Sequence, residues 1–307
     1  MVFKIVHIPS GRDCVGATGE VLVFATREAA QNDNAFTGDF AGNYVVVEIY
    51  PTVKSRPLGF VVYEGPSMID GSPIVVIVNK VFDDSKNAKT GAIVQTFIIR
   101  SDIDPMDALR TGADAAICGT CEHRPSLVKA GSGKAPCYVN VGRSVQSVYG
   151  AYKRGRYAVA SPEFVAQFLS DKTLRLGTYG DPAAAPVAVW HALAAGAGKR
   201  VGYSHQWAAI GFDVDAWSSL LMASVDTVEQ REQANALGMR TFRVSVPGTI
   251  PVKGEVSCPA SKEAGQKTTC AACKLCGGNS AKAKDIVIQD HAIGFNARRV
   301  ISIGVAA

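Results

Sequence analysis

Seven of the eight cysteines fall into two groups, with Cys14 standing apart, and thiolates gathered in this way hold metal. The C-terminal group is Cys258-Pro259 followed by Cys270, Cys273 and Cys276, a C-x2-C-x2-C run ending on Gly277-Gly278. This spacing lays three sulfurs along one tight turn, and Cys258 can return as a fourth. Four thiolates complete a tetrahedral zinc site or bind the irons of a 4Fe–4S cluster. The N-terminal group is Cys118, Cys121, His123 and then Cys137. Either His123 closes a zinc site here, or three thiolates leave one coordination position open to water or substrate. A third arrangement pairs Cys118 and Cys121 with Cys273 and Cys276 around one metal.

Other polar residues earn attention by position. In parallel α/β folds chemistry gathers at the carboxyl ends of strands. The expected strand ends offer His205, Asp181 and Arg243 as catalytic groups, with His205 an acid–base group or ligand. They offer Tyr179, Ser204, Asp226 and His291 as cofactor-binding groups. Helix capping is the competing explanation for Asp181 and Asp226, each of which stands where an N-cap belongs. The run from Tyr152 to Tyr157, YKRGRY, interleaves cations with two aromatics and could grip phosphates and stack a base of a nucleic acid; a solvated helix end is the plainer reading. Gly131-Ser132-Gly133-Lys134 lacks the rest of a phosphate loop, since Ala135 follows the lysine.

The elements that must position these groups change character along the chain. Residues 1–85 hold short β-branched and aromatic runs at 2–8, 20–25, 44–50, 59–63 and 74–79, with a short helix from Thr26, which reads as a small α+β module. Residues 86–307 alternate strands with capped helices. Strands are expected at 93–100, 137–141, 174–178, 200–203, 220–224, 241–246, 285–289 and 300–303. Asp104-Pro105, Ser161-Pro162 and Asp181-Pro182 each open a helix with a cap and a proline, and Asp226 precedes another that Gly238 closes. Strand, capped helix, glycine, strand over 220–246 is a βαβ unit, so the sheet is parallel and the fold class α/β. A closed or partial β/α barrel fits so many strands; a doubly wound open sheet is the alternative.

Composition sets the remaining bounds. At 307 residues and 47% hydrophobic the chain can bury a large core, and its net charge of +5 is mild. No apolar run reaches the roughly 18 residues of a membrane span, and a cytoplasmic protein is expected.

Several segments carry a family resemblance. Lys86–Gly91, Gln95-Thr96-Phe97, Thr111–Cys121, Cys137–Gly142, Leu176–Pro182, Gly202–Trp207 and Cys258–Gly278 resemble an uncharacterised, largely phage-borne, cysteine-rich family over about residues 86–295. More distantly, the order of Cys-x2-Cys, Cys-Tyr, strand and Gly-Asp is similar to phage radical-SAM-like proteins, although the C-x3-C-x2-C triplet of radical-SAM enzymes is absent. That resemblance implies a β/α barrel with an iron–sulfur cluster, S-adenosylmethionine as a cofactor, and work in the cytoplasm of an infected bacterial host. Two functions follow as expectations. One is a radical-SAM-like enzyme acting on a nucleotide, nucleic acid or small metabolite. The other is a zinc-stabilised accessory factor that binds nucleic acid or a host protein.

Overall fold

The computed structural model describes residues 57–83, 90–127, 137, 139–279 and 283–289, with shorter stretches at 2–7, 12–14, 23–24, 27–32 and 44–49. The chain divides into Met1–Pro57 with Ala158–Ala160, and Leu58–Tyr157 with Ser161–Ala307. In the smaller unit β1 (Val2–His7) pairs antiparallel with β4 (Tyr44–Ile49), and β2 (Arg12–Asp13) and β3 (Val23–Phe24) also pair with β1. Ile5, Ala30, Val46, Ala158 and Ala160 are its buried apolar residues among those described.

The larger unit is built on β5 (Gly59–Pro66), β6 (Pro73–Asn79), β7 (Val94–Arg100), β9 (Thr173–Tyr179), β10 (Lys199–Ser204), β11 (Met222–Val225), β12 (Thr241–Ser245), β13 (Glu255–Ser257) and β14 (Asp285–Gln289). In this unit they run side by side in one sheet, ordered β13-β14-β12-β11-β10-β9-β7-β6-β5; the two-residue β8 (Ala158–Val159) belongs to the smaller unit. From β7 to β13 every described pairing is parallel, while β5, β6 and β7 pair antiparallel. The sheet is mixed and mostly parallel, and it is not closed among the described residues.

Residues 74–78 are an unbroken apolar run and all are buried, as a strand covered on both faces requires. This placement moves the division of the chain. The expected boundary near residue 85 would have put β5 and β6 in the N-terminal module, but their hydrogen bonds run to one another and, through β6, to β7.

Capping rules hold locally. Asp104 accepts from the Met106 N–H ahead of the helix Pro105–Thr111, and Ser161 accepts from Phe164 N–H ahead of a helix over Pro162–Ala166. The βαβ unit is present, with a helix over Val228–Ala236 between parallel neighbours β11 and β12. Its N-cap is Thr227, in a reciprocal capping box with Gln230, so Asp226 is released from that duty. After Asp181 only a 3-10 turn forms, Pro182–Ala184, because Pro186 postpones the helix to Val187–Gly196. The strand expected at 137–141 is not present. Cys137 and residues 139–140 carry no regular structure, and Val141–Val145 turns into the helix Gln146–Lys153. The strand expected at 300–303 lies outside the described residues. No helix among the described residues is long and apolar enough to cross a membrane.

Candidate functional site

A cavity of about 130 Å³ opens at the carboxyl ends of β9–β12. Its wall takes Tyr179 and Asp181 from the end of β9, Tyr203 and His205 from β10, Ser224 from β11, and Phe242 and Val244 from β12. Cys118, Cys121, His123 and Cys137 also line it, and Arg175 adds a cation.

Local sequence explains the placement. Gly177 and Gly180 have φ of 68° and 81°, the left-handed region that a side chain resists. A Cβ at Gly180 would lie 2.8 Å from Ile98 O, and one at Gly177 2.6 Å from Gly180 O. These two residues fold the end of β9 back on itself, and the Thr96 hydroxyl, accepting from Gly177 N–H at 2.8 Å, fixes the fold to β7. Asp181 N–H then donates to Ile117 O at 2.6 Å, tying the turn to the helix Ala115–Cys118.

The cysteine loop is held from two sides. Arg124 bonds both oxygens of the buried Asp114 at 3.2 Å and donates to Gly119 O at 2.9 Å. Gln206, just past β10, donates to Cys118 O at 3.1 Å and accepts from Thr120. Cys137 N–H returns to His123 O at 3.0 Å. Burial pushes the thiols of Cys118, Cys121 and Cys137 above their ordinary value. Neighbouring thiols and carboxylates push the same way, with Cys121, Asp114, Cys137 and Asp181 acting on Cys118. Without a cation these sulfurs stay protonated at neutral pH. A bound cation reverses that preference.

Beside the thiols stand two histidines and a carboxylate. His123 Nε2 lies 2.6 Å from Asp226 Oδ1, and the rings of His123 and His205 are centred 5.5 Å apart. His205 Nε2 is shut off from solvent and has no hydrogen-bond partner. Burial, reinforced by His123 and opposed by Asp226, pushes the His205 pKa down to about 4, so its ring is neutral at pH 7. Among the described residues, His123, His205 and Asp226 are the one trio of metal-ligating type whose ligand atoms all lie within 4.8 Å of one another.

No protein-family model, curated protein or solved structure matches this chain. The site must therefore speak through its own geometry.

A second, smaller cavity of about 20 Å³ is lined by Cys258, Cys270, Cys273 and Cys276. Cys258 follows β13 and donates its N–H to Val287 O at 2.8 Å; Cys270–Cys273 is a helical turn capped by Thr269. Arg240 holds the loop down by donating to the carbonyls of Leu275, Gly278 and Lys284. Burial lifts the Cys276 thiol to about 12; the Tyr203 hydroxyl, donating to its sulfur, pulls down, and Cys258, Cys270 and Cys273 push up. The two cysteine groups thus line separate cavities, which removes the single site shared by Cys118, Cys121, Cys273 and Cys276. In neither group do three sulfurs close to within 4.8 Å of one another.

Several expected site residues have other occupations. Asp181 faces the cavity, but its carboxylate accepts from Ser204 Oγ at 2.8 Å, His205 N–H at 2.7 Å and Ala183 N–H at 3.0 Å. Burial raises its pKa against those bonds. Asp181 is a capping and positioning group, and Ser204, buried and bonded to it, belongs to the same support rather than to a cofactor contact. Arg243 is not at the cavity. It makes a two-point bond with the buried Glu255, at 2.8 and 2.7 Å. Tyr179 does reach the cavity, its hydroxyl buried without a partner. In the YKRGRY run, Tyr157 is buried, while Tyr152 is half-buried and its hydroxyl donates to Glu64 at 2.6 Å. His291 and the glycine run at 131–134 lie outside the described residues.

Proposed function

We propose that this chain is an iron–sulfur enzyme with two thiolate centres of different kinds. Cys258, Cys270, Cys273 and Cys276 would hold a closed centre, and Cys118, Cys121 and Cys137 an open one facing the cavity. The observation that carries the reading is the meeting of three cysteines from two stretches of chain with the unpartnered ring nitrogen of His205 around one cavity at the strand ends. That shared mouth also supports reading the sheet as a partial β/α barrel.

The donor sets suit a cluster: four thiols line the smaller cavity, and three line the larger, which would leave one iron there free of protein thiolate. When bound, a cluster with one iron free of protein thiolate supplies electron transfer and a position for a substrate atom.

The chain's own residues do the rest. Arg175 offers a positive charge to an anionic group of a small substrate, and the apolar walls from Tyr203, Phe242 and Val244 exclude water from around it. Asp181, through its bonds to Ser204 and to the His205 N–H, anchors the backbone that carries the imidazole. Thr178, Tyr179 and His205 line the cavity with buried polar atoms whose hydrogen-bonding capacity is unspent.

Electron paramagnetic resonance of the anaerobically reduced protein tests this. Two cluster signals are expected. The one lost in Cys121→Ser should change shape when small anionic ligands are added, with S-adenosylmethionine in the screen. A single signal that no ligand perturbs would remove the open centre.

A further inference from the structure

The geometry points to a separate, mononuclear site for a first-row divalent cation between His123, His205 and Asp226. It uses no thiol and therefore stands or falls apart from the cluster reading.

Three observations converge. The ligand atoms of the trio already lie within 4.8 Å of one another, close enough for a small ion to draw them in. His205 Nε2 is buried without a partner, and a nitrogen lone pair left unspent in a closed interior costs free energy unless something binds it. Asp226 is not capping a helix, since Thr227 does that, so its carboxylate is available to a ligand beyond its contact with His123.

The supports are equally specific. His205 is placed by its backbone bond to Asp181, Asp226 by its N–H donation to Gln230 Oε1 at 2.8 Å, and His123 by the loop that Arg124 clamps. Each ligand comes from a different element, so the trio can surround an ion on one side only. Two imidazoles and one carboxylate suit zinc or ferrous iron, and they leave the positions facing the cavity for water or a substrate oxygen.

Cobalt(II) titration of the full-length protein tests the proposal by absorption. Beyond any cobalt taken up by the thiols, one further equivalent should bind with visible d–d bands and add nothing to the intense near-ultraviolet band of thiolate-to-cobalt charge transfer. His205→Gln and Asp226→Asn, both close in shape to the parent residues, should each weaken cobalt binding by at least about tenfold, with circular dichroism unchanged. His191→Gln, at an exposed residue bonded to Ala216 O, should leave it intact. Unaltered cobalt affinity in either trio variant, or thiolate charge transfer as the only signal, would overturn it.

Discussion

Tyr203 and Phe242 pack with ring centroids 4.2 Å apart, and Tyr203 lies in the wall of both cysteine-lined cavities. Its ring helps seal the larger one while its hydroxyl donates to Cys276 in the smaller. The two proposed centres are therefore neighbours across one side chain.

Tyr203→Phe keeps the ring and deletes the donor. A donor to a ligating sulfur favours the reduced, more negative form of a cluster, so its loss should lower the reduction potential of the C-terminal centre. The stability cost should be about 1 kcal/mol. Potentiometric titration reads the first effect and urea unfolding the second; an unmoved potential would detach Cys276 from any cluster.

Cys273→Ala should remove the C-terminal centre and lower the melting temperature, because metal binding and folding are coupled. Iron should fall by about half if the two clusters are alike. Full metal content with an unchanged melting temperature would rule Cys273 out as a ligand.

Asp181→Ala should act on stability first. Three donors lose their acceptor in a buried place, at a cost of at least about 2 kcal/mol, and His205 loses its anchor. Chemical denaturation checks this; a loss below 1 kcal/mol, roughly the worth of one ordinary hydrogen bond, would contradict the positioning role.

Glu255 gives the pH dependence. Burial works against its charge, yet the bonds from Arg243 and Val252 N–H and the charge of Arg231 leave its pKa below the ordinary value. A depressed carboxylate contributes stability that is complete above its unfolded pKa, about 4.3, and lost as pH falls through the folded value. Glu255→Gln should cost about 3–5 kcal/mol at neutral pH by stranding buried Arg243, and much less in acid. Urea unfolding at neutral and acid pH checks the difference, and a cost independent of pH would refute the assignment.

Much of the frame was legible because it follows local rules. Asp104-Pro105, Ser161-Pro162 and the strand–helix–strand over 220–246 are decided by caps and short-range patterning, and the structure has them where they were expected. The misplacements are of another kind. Nothing in the runs at 59–63 and 74–79 says which sheet they join, since that depends on β7, a separate strand. Asp226 and Thr227 both satisfy the capping rule, and only the backbone dihedrals and the Gln230 contact choose between them. Arg243 was expected near a strand end, as a catalytic group might be, but it lies in the middle of β12 and its partner Glu255 sits two strands away across β14. The trio of His123, His205 and Asp226 was hidden for the same reason: 103 residues separate His123 from its carboxylate. His123 was visible only as a companion of the cysteines.

The most direct measurement is the iron and acid-labile sulfide content of protein purified without oxygen. The account predicts a brown protein with broad visible absorption, iron and sulfide in equal amounts, and enough of both for two clusters. A colourless protein carrying zinc alone, or one whose cysteines react freely as thiols with no metal released, would contradict it.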